Sequence, residues 1–558
     1  MIQEIQLSNF KAFADTVKIP LKPITLIFGP NSSGKSSFFQ SLLMLKQTIE
    51  ESVSDKQTLL PKGSLVDLGN YREFIHNHEE NRSFSVTFKV APPIDLFEAI
   101  PTEDYIAQKD PSARLRNLSD SIESLPLGIT IEFSCDNTKN VHVTKIDLLV
   151  GDNSTPIITF VNEPPEKMET LGDDVNEEVK RKREGQWRSY QRSPKNYLRF
   201  KKIENHDYWK KYFEAIQENE WWTNWKDSFE CFDFVDRAKR GDWKPLLQRD
   251  DISSELKETI STIIAITDVR ERLFADNFLM LSKFLPVELN DHDPQYLTSS
   301  DFNVEDQDNI SVLILAVSFL IKRFLFNCVH LGPVRQNPER NFYFDGIISP
   351  YVGANGKYTN EILVNNPEIV EKVNKQLSSL SLGYQLQIVK LANDSSDLKV
   401  STIRLISDSG IDHAITDVGY GISQVLPVIL QCMMSKGETI LIEQPELHLH
   451  PAQQAELGSF FASCIRTEKI NASDVEGDIE RPLPNNFIIE THSENIILRL
   501  QKLIRKGELK KEDLAVIYFD KTAEGTVAKE LRLNDRGEFL DPWPNGFFEE
   551  SFKEMFGD

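Results

Sequence analysis

Cysteine is scarce in this chain: five among 558 residues, at positions 135, 231, 328, 432 and 464. Thiols so few, so widely spaced and odd in number make neither a secreted disulfide framework nor a zinc motif. No run of 18 apolar residues exists, so no transmembrane helix is expected. The opening Met1-Ile2-Gln3-Glu4-Ile5 reads as the start of a β-strand, not as a signal peptide. Basic charge is also in deficit, 63 Lys and Arg against 86 Asp and Glu, or 63 − 86 = −23. A chain this acidic repels nucleic acid and anionic membranes as a whole, which argues against bulk DNA binding but leaves room for a local basic site. No internal repeat is visible, and no sustained heptad pattern predicts a long coiled coil. What remains is a protein expected in the cytoplasm and off the membrane. Its length implies two or three units, and its 40% apolar content supports a large core.

Against these absences stands one dense motif. Gly29-Pro30-Asn31-Ser32-Ser33-Gly34-Lys35-Ser36 fits G-x-x-x-x-G-K-[ST] without a gap. The apolar run Ile24–Phe28 leads in as a strand would, and Phe38–Leu45 leads out as a helix would. A chance glycine-rich turn would not need those flanks. Glycines let backbone N–H groups turn inward around a phosphate. Lys35 is then expected to reach the β- and γ-phosphates and the Ser36 hydroxyl to bind Mg²⁺, with Ser37 beside it at a helix start whose dipole favours anions. ATP and magnesium are the expected cofactors.

More than 400 residues downstream, Thr439-Ile440-Leu441-Ile442 reads as a buried strand that ends in Glu443-Gln444-Pro445-Glu446-Leu447-His448-Leu449-His450-Pro451. An apolar strand ending in an acid suits a Walker B site, so Glu443 is the expected carboxylate of the Mg²⁺ shell. Asn486–Glu490 is another strand, running into Thr491-His492-Ser493, where His492 is placed to contact a γ-phosphate. In between, Asp417-Val418-Gly419-Tyr420-Gly421-Ile422-Ser423-Gln424 opens an apolar helix. A Gly/Ser-rich helix start is a second anion site, with Gly421 and Ser423 as its candidate residues.

In this order the motifs resemble the ABC-type ATPase heads of the SMC, RecF and OLD families. Leu7-Ser8-Asn9-Phe10-Lys11-Ala12-Phe13 is similar to their L-x-N-F-K-x-F first strand. Four further stretches look like one bacterial subgroup: Leu65–Gly69, Leu331–Arg335, Val352–Gly356 and Trp543–Phe548. That subgroup consists of AAA-family ATPases with a short C-terminal domain of unknown function. Several of its members belong to anti-phage defence systems, including the Septu-type ATPase PtuA. The resemblance covers residues 1–90 and 326–558. It implies an α/β fold: an ABC-type P-loop ATPase head, with a mixed sheet, helices and an antiparallel β-subdomain, carrying a mainly helical insertion. It also implies a homodimer or higher even-numbered oligomer, in which each phosphate loop faces the partner's Ser423 helix across a shared ATP.

Three segments follow from this reading. Residues 1–165 form an N-terminal ATPase half with the phosphate loop and antiparallel strands, expected at Ser83–Val90, Gly128–Phe133, Val141–Val150 and Ile157–Val161. Residues 166–325 form a mainly helical insertion with its strongest apolar patterning at Ile260–Ile266 and Ile310–Phe326. Residues 326–558 form a C-terminal half with the signature helix, Walker B, the switch histidine and a short tail. Six of seven tryptophans fall early in the insertion; they suit either aromatic packing or a partner surface.

Several residues depart from pattern or admit two readings. Gln444 stands where these ATPases place the catalytic glutamate, and an amide is a poor base. Slow natural turnover, rescue by a neighbour such as Glu446, and an engineered trap all remain open. His448 and His450 sit two apart with Glu446 nearby, but that spacing does not share a helix face, so an interface loop is favoured over a metal site. Arg335 and Arg340 flank a loop and suit either a nucleotide or partner contact or a structural bridge. Residues 180–211 hold twelve Lys and Arg against three acids, 12 − 3 = +9, with six aromatics interleaved. A solvated face, a nucleic-acid site and an acidic-partner site all fit that segment.

The function expected from these readings is an ATP-binding sensor or regulator that dimerises through ATP and controls a separate effector, such as a nuclease, in anti-phage defence. No nuclease motif follows the switch strand, so a destructive activity belongs to another polypeptide. The alternatives are a RecF/SMC-like ATPase acting on DNA in repair or chromosome maintenance, and an interaction scaffold with a vestigial site.

Overall fold

A computed structural model describes residues 2–52, 57–90, 126–137, 139–150, 156, 158–162, 197–201, 278–283, 285–290, 314, 317–343, 349–391, 400–466 and 484–544. The chain divides into two compact units, Met1–Phe10 with Gln47–Arg323, and Lys11–Lys46 with Phe324–Asp558.

The first unit is built on antiparallel strands. Its strands are β1 (Ile2–Ser8), β4 (Phe84–Val90), β5 (Leu127–Cys135), β6 (Val141–Val150), β7 (Ile158–Val161), β8 (Tyr197–Lys201), β9 (Phe278–Ser282) and β10 (Leu285–Asn290). They lie in the order β10-β9-β8-β7-β6-β5-β4-β1. Period-two alternation carries this architecture: β5 buries Leu127, Ile129, Ile131 and Phe133. Cross-strand pairs fix the register. Phe84 stacks on Phe133 with ring centroids 4.7 Å apart, and the Thr87 and Thr130 hydroxyls lie 2.7 Å apart. The run Leu65–Gly69 is a turn held by a buried side chain: Gln47 donates to Val66 O and accepts from Val66 N at 3.1 and 3.0 Å.

Only short stretches of the segment 166–325, expected to be mainly helical, fall among the described residues. Its described residues include three strands, β8 to β10, and β8 pairs with both β7 and β9. A helix is present over 317–326, within the expected apolar run. The early tryptophans, Ile260–Ile266 and residues 180–196 and 202–211 of the basic stretch lie outside the described residues.

In the second unit β2 (Val17–Pro20) and β3 (Ile24–Phe28) lead to helix α1 (Lys35–Glu51). Far along the chain come β11 (Cys328–Leu331), β16 (Thr439–Glu443), β17 (Asn486–Glu490), β18 (Leu514–Lys521) and β19 (Thr526–Glu530). The sheet runs β11-β16-β17-β3-β18-β19. All pairs are parallel except β18 with β19. Parallel strands are covered on both faces and so read as continuous apolar runs; β3 and β16 are buried at every position. A smaller sheet holds β12 (Phe342–Tyr343), β13 (Tyr384–Lys390), β14 (Val400–Ser407) and β15 (Asp412–Ala414). Helices α3 (Thr359–Asn365), α4 (Pro367–Ser379), α5 (Tyr420–Met434), α6 (Pro451–Cys464) and α7 (Glu494–Arg505) complete the unit, and α2 (Tyr71–Phe74) belongs to the other. On α7, Ile496, Ile497, Leu500, Leu503 and Ile504 are buried, a helical stripe facing the core. Trp543, at the start of the expected tail motif, packs edge-on against Phe28 just ahead of the phosphate loop.

A candidate nucleotide site at the strand ends

The site gathers where β3, β16 and β17 end. The loop after β3 depends on two glycines. Gly29 has φ +146°, and a Cβ there would lie 2.4 Å from Phe519 O; Gly34 has φ +90° and would place a Cβ 2.9 Å from Ala12 Cβ. Ser32 also takes a left-handed φ of 61°. The Thr526 hydroxyl of β19 donates to Ser33 O at 2.8 Å and pins the loop from the neighbouring strand. Pro30, Asn31, Ser32 and Ser36 are exposed, and Ser37 is half-buried at the helix start.

Lys35 folds back on its own loop. Its ammonium donates to Gly29 O and Pro30 O, both at 2.9 Å, and lies 4.0 Å from Glu490 Oε1. Burial lowers its pKa, against the opposing pull of Glu490 and Glu446. The Ser36 hydroxyl donates to Glu490 Oε2 at 3.2 Å. Glu443, at the end of β16, stands in register with Glu490 at the end of β17. His330 Nε2 of β11 lies 2.8 Å from Glu443 Oε1. Burial, with Glu443 beside it, pushes the Glu490 carboxyl up to about 7.

Gln444 turns the chain with φ 47°, a left-handed conformation that side chains disfavour. Its N–H donates to Glu490 O at 2.7 Å. Arg335 closes the turn from the other side, donating to Glu443 O at 2.9 Å and Gln444 O at 3.2 Å. This guanidinium is 3% exposed. Desolvation lowers it to about 10 although Glu446 and Glu443 attract it. Glu446 Oε1 accepts from the His492 N–H at 2.7 Å, so the Walker B loop and the switch strand are directly joined. Burial raises the Glu446 carboxyl and lowers His492, the latter helped by the Lys35 charge. The Ser33 hydroxyl and His492 Nε2 are buried without a partner. Buried polar atoms are normally satisfied.

Other expected residues fall elsewhere. Gly421 and Ser423 belong to α5. A Cβ on Gly421 would lie 2.7 Å from His448 O, and the Ser423 hydroxyl donates inward to Tyr420 O at 2.8 Å. Tyr420 is exposed, with its ring 5.9 Å from that of His448. His450 is a helix cap: its Nδ1 accepts from Ala452 N, and Gln453 answers on the His450 N–H. Arg340 pairs with Asp417 through both nitrogens, a bridge apart from the strand ends. Glu490 and His330 were not placed at this site from the sequence, and Arg335, read there as a nucleotide or partner contact or a structural bridge, bonds to the Walker B turn. The signal for Glu490 was present, since Phe487-Ile488-Ile489-Glu490 repeats the apolar-strand-then-acid form of Leu441-Ile442-Glu443.

The residues fit a magnesium nucleotide. The donors near the loop are hard oxygens, from Ser36 and Glu443, which suit Mg²⁺. Among the described residues no three His, Cys, Asp or Glu side chains form a self-sufficient metal cage. The cation would therefore draw its remaining ligands from phosphate and water, as Mg²⁺ commonly does. When bound, it would neutralise charge on the phosphates.

A glycine-turned loop at a helix start, facing acids on the neighbouring parallel strands, defines a phosphate-loop ATPase. The particular family follows from comparison: residues 1–497 match the AAA ATPase domain family, and the chain belongs to it. Residues 509–556 match a family of unknown function, DUF3696. No curated protein matches the chain. Among solved structures, an Smc head domain with an extended coiled coil bound to the C-terminal domain of ScpA, from Pyrococcus furiosus, is 10% identical, with a TM-score of 0.33 over 95% of this chain and 96% of that one. The SMC head domain from Thermotoga maritima is 9% identical, with a TM-score of 0.32 over 95% of this chain and 99% of that one. Among the described residues, no helix is long and apolar enough to cross a membrane.

Proposed function

We propose that this ATPase is a slow, ATP-held regulator. In this reading it closes as a homodimer, or a higher even-numbered oligomer, around shared ATP in the cytoplasm. It restrains a separate effector, a nuclease, in prokaryotic anti-phage defence. The observation that carries the reading is the setting of Gln444. The backbone of Gln444 is fastened on both sides, by Arg335 and by Glu490 O, so an anchored turn carries an amide where these ATPases place the catalytic glutamate. An amide can orient water but cannot take its proton. The neighbouring acid, Glu446, gives its Oε1 to the His492 N–H, while its Oε2 is buried without a partner among the described residues. Lys35 and Ser36 bind phosphate and cation, Glu443 serves the cation, and His492 reports the γ-phosphate through its link to Glu446.

The test compares two variants in single-turnover phosphate release. Gln444→Glu is expected to raise the rate ~10- to 100-fold, the lower range for a positioned general base. Lys35→Ala is expected to weaken ATP-analogue binding at least ~10-fold, about 1.4 kcal/mol. An unchanged rate in Gln444→Glu, together with a lost rate in Glu446→Gln, refutes the held-ATP reading and makes Glu446 the base. A second reading, a RecF/SMC-like ATPase acting on DNA, draws on the +9 segment at 180–211. ATP-stimulated DNA retention that weakens steeply with salt, and is lost when Arg188, Arg192, Arg199 and Lys202 become Glu, favours it.

A further inference from the structure

One carboxylate at the strand ends has no task in the reading above. Glu490 and Glu443 are register partners on adjacent parallel strands. Such partners stand about 4.8 Å apart with side chains on the same side. Both are buried, at 4% and 8% exposure. Glu443 has His330 Nε2 at 2.8 Å, but the cations nearby do not offset Glu490. Lys35 lies 4.0 Å from Glu490 and gives its short bonds to two loop carbonyls. Arg335 gives its bonds to the carbonyls of Glu443 and Gln444. Buried carboxylates left uncompensated are costly, and an amide would end the strand at less cost. Among the described residues, the one short side-chain bond that Glu490 makes is to Ser36, the hydroxyl that the loop offers to magnesium.

We propose that Glu490 is a further magnesium-holding residue of this site, so that the cation is gripped by two strand-end carboxylates and the Ser36 hydroxyl. This rests on the nucleotide reading above. Mg²⁺ in nucleotide sites usually has one or two carboxylates beside phosphate and water; here the second comes from the switch strand. The consequence is a division of labour. Gln444 takes a carboxylate away from the attacking water, and Glu490 adds one on the metal side. Together they favour retention of the magnesium nucleotide over its hydrolysis. Because Glu490 O also accepts the Gln444 N–H, the same residue couples the cation to the turn that carries the water-facing amide.

The experiment uses the full chain and a fluorescent ATP analogue, titrated first in EDTA and then with graded Mg²⁺, alongside thermal melts. Glu490→Gln is expected to bind the analogue in EDTA no more weakly than wild type, because a negative charge near the phosphates is gone. It should need at least ~10-fold more Mg²⁺ for half-maximal tightening of binding, and for half of the wild-type rise in melting temperature. Glu490→Asp keeps the charge but withdraws it by one methylene. It should shift the midpoint several-fold, and it is read in place of the Gln variant if that one does not fold. A magnesium midpoint equal to wild type overturns the proposal. Lost hydrolysis with an unmoved midpoint also overturns it, placing Glu490 on the attacking-water side. If wild type binds no analogue with or without Mg²⁺, the nucleotide reading itself fails. A wild type that binds, with a Lys35→Ala variant that does not, leaves that reading intact whatever Glu490 does.

Discussion

Replacing Arg335 by lysine tests how the Walker B turn is held. The guanidinium spans two acceptors, Glu443 O at 2.9 Å and Gln444 O at 3.2 Å. A lysine keeps the charge but cannot fork, so it can serve one carbonyl well and must neglect the other. A net hydrogen bond from a charged donor is worth about 1.5–3 kcal/mol. Gln444 O has only a long alternative donor, Leu447 N at 3.4 Å. The expected loss is therefore about 1.5–3 kcal/mol, or roughly 3–12 °C in melting temperature at about 2–4 °C per kcal/mol for a unit of this size. Part of that loss should be relieved by a second change. Gln444 sits at φ 47°, where a non-glycine residue carries about 1–2 kcal/mol of strain. In the double variant Arg335→Lys, Gln444→Gly, the turn needs less holding, so the penalty of the lysine should shrink by about 1 kcal/mol in a double-mutant cycle. Differential scanning calorimetry on the four proteins reads both numbers. If Arg335→Lys melts within a degree of wild type, Arg335 does not hold the turn.

Two further outcomes follow from the same geometry. Without magnesium, Glu490 is held at about 7, above its ordinary 4.5. Its folded-state proton is then a stabilising contribution, fully present below pH 4.5 and lost as pH rises to 7, about 3 kcal/mol in all. Thermal melts should thus show wild type falling relative to Glu490→Gln between pH 5 and 8, and parallel curves would contradict this. Ser423→Arg puts bulk and charge at the start of α5, where the dimer reading places the partner's phosphate. It should still bind ATP yet remain a monomer by light scattering, and a wild-type mass with ATP would dismiss that role for α5.

Much of the fold was legible because its strands obey local rules. The strand Leu127–Cys135 and the helix from Glu494 announce themselves through period-two and helical stripes. The phosphate loop is legible because its chemistry needs consecutive residues. His330 and Arg335 act through partners more than 100 residues away in sequence, as in the 2.8 Å pairing of His330 with Glu443. No local pattern reports such contacts. The same reason separates the expected grouping of residues 1–165 from the contact grouping, in which 11–46 joins 324–558. The strands that flank β3 are β17 and β18, and nothing near Ile24–Phe28 in sequence points to them.

The position of β3 has a consequence for biosynthesis. Its five residues Ile24–Phe28 leave the ribosome fully apolar, long before their neighbours Asn486–Glu490 and Leu514–Lys521 do. At about 5–20 residues per second, roughly half a minute to two minutes separates them. Throughout that interval a strand suited to the middle of a parallel sheet has no permanent bonding partner. Long-range parallel pairing is slow and prone to association with other chains while it waits. The nascent chain is therefore a natural client for chaperones, and a truncated product ending before residue 486 would carry the complete phosphate loop on a sheet that cannot close around it.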